Sequence, residues 1–159
     1  RPDVAMPLSG LMEVLMRDDN SLSRGERELI ATYVSYLNNC MFCELAHGGV
    51  AQHYLQCDLE FVNQVKQDFN KGDLSEKMKS LLALAGSVQK GGKHVTAADV
   101  ERVRNSGATD VEIHDTVLIA AAFCMFNRYT DGLATWAPTD ANFYLERAPQ
   151  IAQKGYVIE

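Results

Sequence analysis

Apolar residues recur along this chain every three or four positions, and strand-like alternation is never sustained, so the pattern predicts helices throughout. A first amphipathic segment covers 8–16 and ends in the polar turn Arg17-Asp18-Asp19-Asn20-Ser21. Ser23 and Glu26 have the spacing of a capping box, in which each side chain satisfies an orphan amide of the first turn. The helix they open carries Leu29, Ile30, Tyr33, Val34 and Leu37 on one face. Asn38-Asn39 interrupts it, because asparagine side chains compete for nearby backbone groups. The next helix is expected to take Asn39 as N-cap and Cys40 as first residue, and to run towards Tyr54.

Downstream, Asp58 can cap a helix bearing Phe61, Val62, Val65 and Phe69 and stopping at Gly72. Ser75 opens another, with Met78, Leu81, Leu82, Ala85 and Val88 inward. Capping boxes at Thr96/Asp99 and Thr109/Glu112 open a short helix to about Gly107 and a long one to about Gly132. A last helix over 140–154 contains Pro149 and should break there. The expectation is all-α: a compact helical bundle of six to eight helices, one domain over 1–159.

Composition narrows the function. At 159 residues the chain can bury a core without staples, and 47% hydrophobic with 23% charged residues is ordinary for a globular protein. A net charge of -6 with scattered Lys and Arg argues against a nucleic-acid partner, and the basic stretch 90–93 reads as a solvated loop. The longest apolar run, 117–126, falls far short of the ~20 residues a bilayer demands, so no membrane partner is expected and the run reads as buried core. No secretory leader is visible, and four cysteines are too few for a disulfide scaffold. A reducing, cytoplasmic setting is therefore expected.

The chemistry concentrates in one segment. Cys40 and Cys43 stand as Cys-x-x-Cys, a spacing typical of redox or metal sites. On a helix, Cys40, Cys43 and His47 share a stripe of about 60°. Thiols in a first turn meet unpaired amides and the helix dipole, which favour a thiolate below the free-cysteine pKa of ~8.5. His47 can take the thiol proton. Glu28 lies nine residues before Leu37, roughly 14 Å along its helix, so a reversal at Asn38-Asn39 brings it alongside His47. Its polar stripe with Thr32 and Ser35 also reads, more plainly, as a solvated face.

The string ELIATYVSYLNNCMFCELAH fits Glu-x11-Cys-x2-Cys-x3-His and resembles the alkylhydroperoxidase AhpD-like family, within the carboxymuconolactone decarboxylase superfamily. Leu22-Ser23 and Asn127-Arg128-Tyr129-Thr130-Asp131-Gly132-Leu133 extend the likeness to the peroxidase-related branch. The resemblance implies an AhpD-like fold assembled as a homotrimer, hexamer or larger ring, and a thiol-dependent peroxidase that reduces hydroperoxides through a reversible disulfide. It makes Cys43 the attacking thiol that forms a sulfenic acid and Cys40 the thiol that condenses with it. His47 and Glu28 become the proton relay, and an external dithiol resets the pair. No cofactor or metal is implied. Members often carry a histidine just before the second cysteine; here stands Phe42, which makes the site more apolar and removes one relay group.

Two other readings of the same residues stay open. A zinc site could use Cys40, Cys43, His47 and Glu28, although ligands at i, i+3 and i+7 of one helix spread far along its axis. A non-redox decarboxylase-like enzyme or an assembly module would leave the cysteine pair without a use. Elsewhere the plain readings suffice: Cys124 as a packed inert thiol, Cys57 as structural, His53 on the surface, and His94 and His114 without companions. Arg128 and Asp131 read as a local ion pair, and Tyr33, Tyr36 and Phe42 as core. Gly48-Gly49 inside a helix costs roughly 1 kcal/mol per glycine, which suggests an early helix end or a close-approaching backbone.

Overall fold

The capping signals mark where the helices start. In a computed structural model, which describes residues 1–156, Ser23, Asp58, Ser75, Thr96 and Thr109 all accept from an amide of the following first turn. At Ser23, Thr96 and Thr109 the reciprocal bond of the capping box is made as well. The resulting helices are α1 (Pro2–Arg17), α2 (Arg24–Leu37), α3 (Met41–Leu55), α4 (Leu59–Asp68), α5 (Glu76–Lys90), α6 (Ala97–Asn105), α7 (Asp110–Gly132), α8 (Ala141–Leu145) and α9 (Ala148–Lys154). A 3₁₀ turn at Gly92–His94 follows α5, and no strand occurs among the described residues. The anticipated last helix is two pieces: Pro149 sits in the first turn of α9, where its missing N–H costs nothing. The first helix is longer than its apolar stripe suggests and runs through Pro7.

α2 lies at the centre, flat against α3 and against α5 and α7 on its other sides. Its Leu29, Ile30 and Val34 meet Leu81, Leu82, Leu84, Ile119 and Phe123 in one fully buried core. Each such side chain contributes about 1.5–3 kcal/mol by leaving water. α8 and α9 pack on α3 rather than on α2. The glycine pair lets them do so: α3 continues through Gly48 and Gly49, and a Cβ at Gly49 would lie 3.4 Å from the Tyr144 backbone carbonyl. The close backbone approach is the reason for the glycine there.

The turn between α2 and α3 places the cysteines. Asn39 adopts φ 56, and its N–H reaches Tyr36 O at 3.0 Å while the Cys40 N–H reaches Ser35 O at 3.0 Å. Those two bonds are the Schellman closure of α2, with asparagine in the left-handed position it tolerates better than most residues. Asn39 is thus spent on ending α2, not on capping α3. Cys40 itself becomes the N-cap of α3, one residue later than the spacing had indicated.

Candidate active site at the α2–α3 hairpin

Shifting the helix start by one residue puts Cys40 at the N-cap and Cys43 at the third helical position, and the Cys40 side chain makes no capping hydrogen bond. The two thiols interact with each other and are both free. α7 covers them: Thr130 Oγ1 lies 3.9 Å from Cys43 Sγ, and Asn127 and Asp131 complete that side. Asn127 is held by its neighbours. Its amide donates to Ser35 Oγ at 3.0 Å, and its carbonyl accepts from Asn38 Nδ2 at 2.8 Å. Residues that end α2 therefore orient the α7 side chain that faces the thiols.

Burial overturns one expectation. Cys40 is 0% and Cys43 4% exposed, and desolvation outweighs the helix-end amides. It pushes the Cys40 thiol up to about 12, despite the Cys43 amide, with Cys43 and Asp131 adding to the rise. Cys43 is also raised by burial, but hydrogen bonds from Asn127, Cys40 and Thr130 pull the other way. Neither thiol is a resting thiolate. The pair is unequal, however: Cys43 is surrounded by donors to its anion, whereas Cys40 is the neutral donor.

The same hairpin holds a buried acid–imidazole pair. Glu28, 0% exposed, receives His47 Nδ1 on Oε2 at 2.7 Å. The polar stripe of Glu28, Thr32 and Ser35 is accordingly buried, not solvated. Thr32 returns its hydroxyl to the Glu28 carbonyl at 2.8 Å, and Phe123 sets its ring against the His47 imidazole with centroids 4.6 Å apart. A carboxylate on Nδ1 fixes the tautomer with hydrogen there and leaves Nε2 to take a proton. His47 lies one turn beyond Cys43 on α3. Tyr156 completes the group, donating to Glu28 Oε1 at 2.5 Å.

The four residues that the spacing picked out form two pairs on the hairpin, Cys40 with Cys43 and His47 with Glu28, and Cys43 and His47 stand one turn apart on α3. Other expectations resolve differently. Arg128 bonds the Cys124 carbonyl at 2.7 Å instead of pairing with Asp131, which faces Cys40. Cys124 is half-buried, with Asn38 Nδ2 at 3.6 Å, so it borders the asparagine network and is not sealed in the core. His53, His94 and His114 are exposed, Phe42 packs edge-on to Tyr144, and Tyr33 packs edge-on to Phe69. Among the described residues no three His, Cys, Asp or Glu side chains converge to hold a metal ion. The link from Ser35 and Asn38 to Asn127 has no local signal, because it spans 92 and 89 positions. Tyr156 had no signal at all.

An all-α bundle with paired thiols on a helical hairpin beside a buried acid–imidazole pair defines the class structurally, and the comparisons agree with it. The family model described as "Carboxymuconolactone decarboxylase family" matches residues 2–54 and 59–137, and the chain belongs to that family, as an AhpD-like member. A crystal structure described as an alkylhydroperoxidase AhpD core, an uncharacterized peroxidase-related protein from Ralstonia eutropha JMP134, superposes with a TM-score of 0.83 at 31% identity, over 91% of this chain and 75% of that one. An uncharacterized peroxidase-related protein from Silicibacter sp. TM1040 gives 0.78 at 25% identity, over 87% and 71%. No curated protein matches.

Proposed function

We propose that the chain is a thiol-dependent peroxidase and disulfide oxidoreductase that reduces hydroperoxides with Cys40 and Cys43. The observation that carries this reading is the unequal surroundings of the two sulfurs: three donors face Cys43, while Cys40 is held neutral. His47, charge-balanced by Glu28, takes the Cys43 proton. The thiolate attacks the outer peroxide oxygen, the O–O bond breaks, and the departing alkoxide recovers the proton as an alcohol. Cys43 is left as a sulfenic acid. The Cys40 sulfur then attacks the Cys43 sulfur, the S–O bond breaks, and water leaves with the Cys40 proton. Peroxide gains two electrons and the pair becomes a disulfide, which an external dithiol reduces by two exchanges. Phe42 against Tyr144 makes the wall beside the pair apolar, which suits an alkyl hydroperoxide better than a charged one.

A cytoplasmic, thiol-rich setting and assembly from copies of this chain, as a trimer or hexamer, belong to the same proposal. Met125 and Tyr129 on α7 and Leu133 at its C-cap form an exposed apolar row that such an assembly would cover. No helix among the described residues is long and apolar enough to cross a membrane.

The test is peroxide consumption supported by a small dithiol. Wild-type protein should turn over many equivalents, Cys43→Ser none, and Cys40→Ser at most one. Consumption by Cys43→Ser at the wild-type rate would remove the proposal.

A further inference from the structure

Glu28 has two buried oxygens, and His47 occupies only one. The other accepts from Tyr156, whose hydroxyl also lies 3.4 Å from His47 Nδ1. The Tyr156 ring leans over the imidazole, with centroids 5.7 Å apart and planes at 30°. This residue follows α9, well outside the stretches that the family model matches.

Its place is built by side chains of α1 and α3. Gly155 turns the chain at φ 85 with its Cα against the Glu13 carboxylate, where a Cβ would collide. The Tyr156 N–H then donates to Glu13 Oε2 at 2.8 Å, and Arg17 holds Glu13 Oε1 at 2.7 Å. Arg17 also bonds the Ala152 carbonyl at 2.7 Å, joined there by the Tyr54 hydroxyl at 3.1 Å. On its outer side Tyr156 borders a groove of about 210 Å³ lined by Leu8, Met12, Phe126 and Tyr129. The ring stands between that groove and the acid–imidazole pair.

We propose that Tyr156 is a positioning residue of the relay: its hydroxyl holds Glu28 turned towards His47, and its ring separates the pair from the groove. This deepens the reading of Glu28 and His47 as the proton relay for Cys43 and rests on it. A hydrogen bond to a carboxylate favours the charged form, so Glu28 without that donor is more basic. The relay then binds its proton at higher pH and releases it less readily. The phenol remains a donor at neutral pH, because burial and the Glu28 charge push it well above its ordinary range. Charged and titratable groups facing this cluster are Glu13 and Arg17 from α1, Arg27 from α2, and Tyr54 from α3. From α7 the Phe123 ring packs against His47. Glu13 bonds the Tyr156 backbone, so Tyr156→Phe leaves that contact in place.

The experiment follows the ring nitrogens of His47 by NMR through a pH titration of the reduced, full chain. Tyr156→Phe should raise the His47 midpoint by about one pH unit, the worth of one hydrogen bond to a charged group. A 3-fluorotyrosine placed at 156, a stronger donor, should lower it, and decides the matter should Tyr156→Phe not fold. In a Glu28→Gln background Tyr156→Phe should add no further shift. The acid limb of peroxide-driven disulfide formation should move with the midpoint. An unmoved midpoint, or an equal shift without Glu28, overturns the proposal. Should wild-type protein form no Cys40–Cys43 disulfide, the peroxidase reading fails while the titration still decides the role of Tyr156.

Discussion

Two junctions of this fold begin alike and end differently. After α2, Asn39 turns left-handed at φ 56 and a cysteine follows; after α3, Gln56 turns left-handed at φ 52 and a cysteine follows. At the second junction Asp58 takes the cap, binding the Phe61 amide at 2.7 Å, and Cys57 stays half-buried with no partner cysteine one turn on. At the first, Cys40 is itself the N-cap, Cys43 stands one turn on, and α7 lays Asn127 and Thr130 over Cys43 and Asp131 beside Cys40. A left-handed turn and a helix start are thus shared by both junctions. The second sulfur, the donors to its anion and the neighbouring acid–imidazole pair belong to the first.

The largest effect should separate the two junctions outright. Cys43→Ser should abolish peroxide reduction, whereas Cys57→Ser should leave the rate unchanged; a dead Cys57→Ser enzyme would erase the distinction. Next comes the base. Glu28→Gln should slow peroxide reduction about a hundredfold near pH 7, within the usual range for general base catalysis. That deficit should shrink as pH rises towards the thiol range, because hydroxide then does the work of His47. A stopped-flow rate profile checks both.

The donors above the pair should matter less. Asn127→Ala strands Ser35 and Asn38 in a buried network and should cost about 1–3 kcal/mol in denaturant unfolding. The last comparison concerns the alkaline limb. A thiol whose pKa is raised in the folded protein stabilises fully below its unfolded value of ~8.5, and that stability is lost as pH climbs towards about 12 for Cys40. Reduced wild-type protein should lose stability through that window, and Cys40→Ser should lose less. The same burial predicts that a bulky maleimide labels Cys57 before Cys40 or Cys43.

Local signals revealed most of the fold. Capping residues act within one turn, so Ser23, Asp58, Ser75, Thr96 and Thr109 could be read before any packing was known. The meeting of Glu28 with His47 was legible too, because a hairpin between two regular helices converts residue counts into distances. Asn39 shows where that reading stops: the residue could end one helix or start the next, and only the Schellman closure decides. Glu28 shows the second limit. A polar stripe looks the same whether water or a buried imidazole faces it. Thiol basicity was misjudged for a related reason, since helix-end amides are visible in the chain while the covering α7 is not. Tyr156 reached the site through Gly155 and Glu13, contacts with no periodic trace.

The central claim is that Cys40 and Cys43 act as one electron couple. Its most direct measurement is peptide mass spectrometry of reduced protein given one equivalent of alkyl hydroperoxide, before and after a dithiol. The account predicts two thiols lost per peroxide, a Cys40–Cys43 cross-link, and its full reversal. Oxidation confined to Cys57 or Cys124, with positions 40 and 43 still free, would contradict it.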